Sequence, residues 1–179
     1  MIRMRILLIT GMPGAGKEEL LEVARSMGIP FLRMGDIVRE FHESSGNADK
    51  GMTVGQTASR ERELNGSDIW ARRALERMSG ELFLVDGCRS MDEVRSFRGL
   101  SDDVHIIAVH APAEQRYARL VKRGREDAPT DQEEFDSRDN REMGWGLSEI
   151  IALADLMVVN DSDLETFRRR VCETLEGLS

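Results

Sequence analysis

Residues Gly11-Met12-Pro13-Gly14-Ala15-Gly16-Lys17 fit the pattern G-x-x-x-x-G-K. Glycines at these places allow a close backbone approach that a Cβ would forbid, so consecutive N–H groups can face an anion at the positive end of a following helix. Lys17 adds a point charge that reaches the β and γ phosphates of a bound polyphosphate. A Ser or Thr usually follows this lysine and holds Mg²⁺ through its hydroxyl; here the residue is Glu18. A carboxylate also ligates Mg²⁺, and negative charge is tolerated in a first helical turn, but it stands close to the phosphates. The sequence leaves open whether such a site transfers phosphate or only binds it. A second carboxylate, Asp86, ends the apolar run Leu82–Val85, where an acidic residue opposite a phosphate loop holds the metal through water. Glu18 and Asp86 are therefore the candidate metal ligands.

Arginines supply the remaining chemistry. Of 25 cationic residues, only three are Lys. Arginine grips phosphate bidentately where lysine cannot, so the positions of these arginines matter more than their number. The segment Met34–Glu40, with Gly35, Asp36 and Arg39, resembles the Gly-Asp-x-x-Arg segment of adenylate kinases, whose arginine holds the acceptor's phosphate. Asp36 also suits a helix N-cap, or a general base at the sheet edge. Arg89 follows Asp86-Gly87-Cys88 much as an arginine follows Asp-Gly in nucleoside monophosphate kinases. Arg116, Arg119 and Arg123 share one helical face, with Arg125 just beyond. Arg119 and Arg123 match the R-x-x-x-R at the base of the adenylate kinase lid, and Arg138 and Arg141 are spaced as lid arginines. Salt-bridged helical surfaces are the competing reading for both sets. Phosphoryl transfer rests on positioning and electrostatics, which is why several arginines would serve it.

These residues need elements to position them. Apolar runs at 5–10, 29–34, 82–87, 104–110 and 155–160 predict five strands. Four are continuous rather than alternating, as in a parallel sheet buried on both faces. Helical patterns at 17–27, 36–45, 53–79, 91–98, 112–123, 131–142, 147–154 and 163–176 fill the gaps and give a doubly wound α/β order. The polar stretches 42–53 and 124–134 are the places where something could move. Trp70 and Trp145 read as packing residues rather than base platforms, and His42, His105 and His110 show no ligand spacing.

A net charge of −8 argues against a broad nucleic-acid surface. No apolar run reaches the length of a membrane span. The first ten residues read as a strand, not a signal peptide. Two distant cysteines fit a reducing cytoplasm better than a disulfide framework.

The phrases TGMPGAGK, MGDIVRE, VDGCRS, VHIIAVHAP, RLVKRGREDAP, EEFDSRDNRE, WGLSEIIALAD and VVNDSDLETF cover nearly the whole chain. Together they resemble an archaeal family of adenylate-kinase-related P-loop kinases, with similarity to dephospho-coenzyme A kinases. The resemblance implies a three-layer α/β P-loop NTPase fold over residues 1–179. Its parallel five-stranded sheet would run in order 2-3-1-4-5, with an acceptor-binding helical region at about 36–78 and a lid at about 119–146. It implies nucleotide binding but supplies no defined substrate; ATP with Mg²⁺ is the expected donor, and the Gly-Asp-x-x-Arg spacing favours AMP or a similar nucleotide as acceptor, while base preference and oligomeric state stay open. By the same resemblance, the loop carrying Asn160, Asp161 and Ser162 would lie against the adenine, with helix capping an equal alternative. By that resemblance, the family usually has Ser where this chain has Glu18. The expected activity is nucleoside monophosphate kinase-like phosphotransfer; a dephospho-coenzyme A kinase-like reaction and a non-catalytic nucleotide sensor are the alternatives.

Overall fold

The computed structural model describes residues 4–125 and 128–179. Glu126 and Asp127, within the expected lid and the polar stretch 124–134, lie outside the described residues, as do Met1–Arg3 at the start of the chain. Five strands, β1 (Arg5–Thr10), β2 (Phe31–Arg33), β3 (Leu82–Asp86), β4 (Val104–His110) and β5 (Leu156–Val159), form one all-parallel sheet in the order β2-β3-β1-β4-β5. This is the expected 2-3-1-4-5 order.

Parallel neighbours need crossover connections, and helices supply them. α1 (Lys17–Ser26) joins β1 to β2. α2 (Met34–Ser44), α3 (Val54–Asn65) and α4 (Ile69–Leu75) lie between β2 and β3. α5 (Met91–Leu100) precedes β4. α6 (Ala113–Arg123), α7 (Gln132–Gly144) and α8 (Leu147–Ala152) lie between β4 and β5, and α9 (Leu164–Glu176) closes the chain.

The continuous apolar character of β1 follows from its two covered faces. Ile6 and Leu8 join Met34, Trp70, Phe97 and Ile150 in one buried layer. Leu7 and Ile9 join Leu20, Leu21, Phe167 and Val171 in the other. Trp70 is fully buried, and its indole N–H donates to the Ala58 carbonyl, as a packing residue should.

Three local expectations need correction. The pattern at 53–79 is two helices, because Gly66 takes φ +102°, and the chain turns there before α4. Asp36 is not the N-cap of α2: β2 runs directly into the helix, Arg33 takes the cap position, and Asp36 falls in the first turn. In the last connection the cap of α9 is Asp163, which accepts from the Thr166 amide, rather than Asn160, Asp161 or Ser162. Among the described residues, no helix is long and apolar enough to cross a membrane.

Register sets up the site. Arg33 at the end of β2 stands opposite Asp86 at the end of β3, and Asp86 stands opposite Ile9 of β1. The C-terminal edge of the sheet thus places a cation, a carboxylate and the start of the glycine loop side by side, where open α/β sheets bind ligands.

Candidate active site

The glycine loop connects the buried end of β1 to α1. Gly14 takes φ +79°, and a Cβ there would sit 2.7 Å from the Arg116 carbonyl oxygen, so only glycine fits between the loop and α6. Side chains from the far half of the sheet hold the loop in place. Asn160 is buried and donates to the Ala15 carbonyl at 2.9 Å. Arg119 donates to the carbonyls of Gly14 and Ala15 at 3.4 Å and of Asn160 at 3.0 Å. Arg116 donates to the Pro13 carbonyl at 3.1 Å and grips Asp139 of α7 bidentately at 3.0 and 2.6 Å. That pair is buried, so α7 is fastened to the loop through one guanidinium.

Lys17 folds back on its own loop, donating to the Gly11 carbonyl at 2.7 Å and the Met12 carbonyl at 3.3 Å. Burial lowers its pKa, with Asp86 opposing that shift. Burial also raises the pKa of Asp86, against the pull of Lys17 and Arg89. Asp86 Oδ1 is buried with no hydrogen-bonding partner in the protein. A carboxylate oxygen in that condition is costly unless a cation or water meets it.

Glu18 does not stand alone beside the phosphate position. Its Oε2 accepts from Arg33 Nη2 at 2.9 Å. Arg33 lies over the Phe31 ring and comes within 4.0 Å of Asp36, which itself pairs with Arg39. A chain of alternating charge, Glu18–Arg33–Asp36–Arg39, therefore runs from α1 to the outer face of α2.

Arg89 is fixed from the opposite wall. Its Nε donates to Glu142 of α7 at 2.7 Å, and its Nη1 to the Gly87 carbonyl at 3.2 Å. Burial alone would raise the Glu142 pKa, but the Arg89 pair outweighs it and lowers the value. Trp145 lies beside the guanidinium groups of both Arg62 and Arg89, 5.1 and 5.8 Å from its ring centre. It is a platform for arginines rather than for a base.

These groups enclose a hollow of about 350 Å³. The loop residues Gly11, Pro13, Gly14, Gly16 and Lys17 line one side, Asp86, Gly87 and Arg89 the floor, Arg33, Gly35 and Arg39 the second side, and Arg119, Arg123, Arg125 and Arg138 the third. Eight cationic side chains face it against four carboxylates: Glu18, Glu19, Asp86 and Glu142. The chain as a whole carries a net −8, so this hollow is its reverse in sign.

Lys17, Glu18, Arg39, Asp86, Arg89, Arg119, Arg123 and Arg138 thus meet in one place. Other expected residues do not. Met12 packs against the core, and Ala15 is buried beneath the loop. Asn160 supports the loop from behind, and Asp161 pairs with Arg170 at 2.8 Å on the outer surface of α9. Arg141 faces the start of α3, apart from Arg138. Sequence reasoning missed Arg33 and Glu142. The signal for Glu142 was present: Phe135, Asp139 and Glu142 recur at i, i+4, i+7, the inward stripe of a helix that has almost no apolar residues to bury. Arg33 carries no such signal, since its role depends on a neighbour fifteen residues away.

A glycine loop at the end of β1, a carboxylate at the end of the adjacent β3 and a 2-3-1-4-5 sheet define a P-loop kinase fold. A family model described as an AAA domain matches residues 10–136. The chain is 43% identical over 166 residues to a UPF0200 protein of Thermoplasma volcanium, covering 92% of this chain and 93% of that one. It is 44% identical over 177 residues to a UPF0200 protein of Hyperthermus butylicus, covering 97% and 95%. The chain belongs to the UPF0200 family. Among solved structures, it resembles the Thermus thermophilus protein TT1252 (TM-score 0.66, 22% identity, 99% of each chain). It also resembles shikimate kinase from Bacteroides thetaiotaomicron (0.61, 17%, 96% and 98%) and dephospho-CoA kinase from Campylobacter jejuni (0.59, 13%, 98% of each). At these identities the likeness is one of fold.

Proposed function

We propose that this chain transfers the γ-phosphoryl group of ATP to a small acceptor, with a nucleoside monophosphate as the favoured acceptor class. The observation that carries the proposal is the concentration of eight cationic side chains around a glycine loop in an acidic protein. Such a field suits polyphosphate, and phosphoryl transfer is accelerated mainly by positioning and by charge placed around the transferring group.

On this reading the loop amides and Lys17 hold the β and γ phosphates. Lys17 exchanges its loop carbonyls for phosphate oxygens, which removes the buried cation's dependence on Asp86. Arg123 and Arg138 close over the nucleotide from α6 and α7, the lid region, while Arg119 braces the loop that holds it. Arg39 and Arg89 receive the acceptor's phosphate, between the loop and the helices α2–α4. Glu142 holds Arg89 in its orientation and limits its rotamers.

The residues fit Mg²⁺. The unpartnered Asp86 oxygen and the nearby Glu18 carboxylate are hard oxygen ligands. No group of three or more metal-ligating side chains occurs among the described residues. That composition suits an ion held by one or two carboxylates plus substrate phosphates. Bound there, Mg²⁺ would neutralise negative charge that develops on the polyphosphate.

An acceptor phosphate is already ionised and needs no base, whereas a hydroxyl acceptor does. Asp36 is the carboxylate placed to serve that second case, but it is engaged with Arg39, which favours the phosphate acceptor. Turnover of wild type and Asp36→Asn with AMP and with hydroxyl-bearing acceptors tests this. Retained turnover of AMP in the variant supports the proposal. Loss of a hundredfold or more, with a hydroxyl acceptor preferred by wild type, replaces it with a hydroxyl kinase. Nucleotide binding without turnover of any acceptor would make the chain a nucleotide sensor, a reading that the Glu18–Arg33 pair beside the phosphate position favours.

A further inference from the structure

We infer that Arg33 is a ligand for the acceptor's anionic group, held in reserve by Glu18 and released when the metal–nucleotide complex takes Glu18 as a ligand. This rests on the phosphotransfer reading and assigns to it a residue and an order of binding.

The register places Arg33 beside Asp86, and its side chain lines the hollow on the same wall as Gly35 and Arg39. It is three-quarters buried, and its Nε–H has no hydrogen-bond partner. A guanidinium presents several donors in a plane, and this one commits Nη2 to Glu18. Its other carboxylate neighbour, Asp36, is 4.0 Å away and already bonded to Arg39. The four groups Glu18, Arg33, Asp36 and Arg39 sum to zero charge, so in this state they add no net charge to the acceptor wall.

The balance changes when Glu18 serves a divalent cation. One carboxylate does not neutralise both a divalent ion and a guanidinium, and the two cations repel each other. Glu18 and Asp86 both line the hollow, so a cation between them draws both. Arg33 then loses its hydrogen-bonded partner, keeping only Asp36 at 4.0 Å, and Arg33, Asp36 and Arg39 together carry one positive charge. A phosphate monoester meets that charge with bidentate geometry. Glu18, in the place where a phosphate loop usually carries a hydroxyl, thereby couples the two substrate sites. A neutral Ser would leave Arg33 with only the more distant Asp36 as an acidic neighbour at all times.

Coupling between sites is reciprocal in binding free energy and commonly amounts to about 5–150-fold in affinity. The test measures AMP binding by calorimetry on the full chain, with the donor site saturated by a non-hydrolysable ATP analogue, once with Mg²⁺ and once with a chelator. Wild type should bind AMP about tenfold more tightly with Mg²⁺. Glu18→Gln should bind it tightly in both conditions, since no carboxylate at position 18 then neutralises Arg33. Arg33→Met should bind it weakly in both, with Arg33→Lys recovering part of the metal effect. Glu22→Gln, on the solvent side of α1, should match wild type.

The inference is overturned if Glu18→Gln and Arg33→Met keep the wild-type metal dependence, or if wild type binds AMP equally well in both conditions. Those results leave the phosphotransfer reading standing. Failure of wild type to bind the analogue at all, with or without Mg²⁺, overturns that reading instead.

Discussion

The two walls of the hollow are held by different means. On the wall formed by the glycine loop, α6 and α7, the fastenings are buried or part-buried and mostly made to backbone or bidentate: Asn160 to Ala15, Arg119 to three carbonyls, Arg116 to Pro13 and Asp139, Glu142 to Arg89. On the wall formed by the end of β2 and by α2, they are side-chain ion pairs that solvent reaches. Arg39 and Asp36 are about half exposed, and Glu18 only slightly less so. Buried pairs fix geometry and are costly to break; exposed pairs contribute little stability and rearrange readily. The first wall is suited to gripping the part of a substrate that never varies, the polyphosphate. The second is suited to a group that arrives, is used and leaves.

Removing the central fastening of the first wall should have the largest effect. Arg116→Met leaves Asp139 buried without its cation and frees the Pro13 carbonyl. We expect a loss of about 4 kcal/mol in unfolding free energy, the usual range for one partner of a buried pair. Denaturant titration measures it. Gly14→Ala should follow at about 3 kcal/mol, from the positive φ and the clash with the Arg116 carbonyl together. It should also abolish binding of the ATP analogue by calorimetry. If either variant unfolds at the wild-type denaturant midpoint, the loop wall is not the rigid member of the pair.

Glu142→Gln sharpens the contrast. The expected loss is about 2 kcal/mol at neutral pH, the worth of a hydrogen bond to a charged group. Its pH dependence has a definite sign. The folded-state pKa of Glu142 is depressed by Arg89, so its contribution is complete above the ordinary glutamate range and is lost as pH falls through the lowered folded value. Melting curves of wild type and variant should therefore converge on acidification. Divergence would mean that burial, not the pair, controls this carboxylate.

The same contrast explains what the sequence made legible. The glycine loop is local: its chemistry lies in seven consecutive residues between a strand and a helix, and it was readable at once. The strands were readable because burial on both faces forces unbroken apolar runs. The arginines of α6 were readable as a face, since helical spacing is fixed. What each cation touches was not readable. Arg119 and Asn160 read as ligand contacts, yet they spend their hydrogen bonds on the loop's carbonyls, because a glycine turn exposes carbonyls that need donors. Asp161 read as adenine-facing, yet one residue of advance along an exposed connection turned it to Arg170. The Glu18–Arg33 pair links two elements through tertiary structure alone, and no local pattern announces it.

The smallest expected effect on stability is the most informative about the second wall. Arg39→Met removes an exposed i, i+3 partner of Asp36, and such pairs contribute about 0.5 kcal/mol or less. The melting temperature should shift by no more than about 2 °C. With AMP as acceptor, however, a phosphate loses a charge-assisted donor, which corresponds to about tenfold or more in acceptor affinity. Steady-state kinetics should show this as a raised KM for AMP with the KM for ATP unchanged. A fall in stability comparable to that of Glu142→Gln would show that Arg39 braces α2 as Arg89 is braced on the other side, and the distinction between a fixed wall and a yielding one would fail. An unchanged KM with unchanged stability would move the acceptor's phosphate away from α2 and leave Arg89 as its principal ligand.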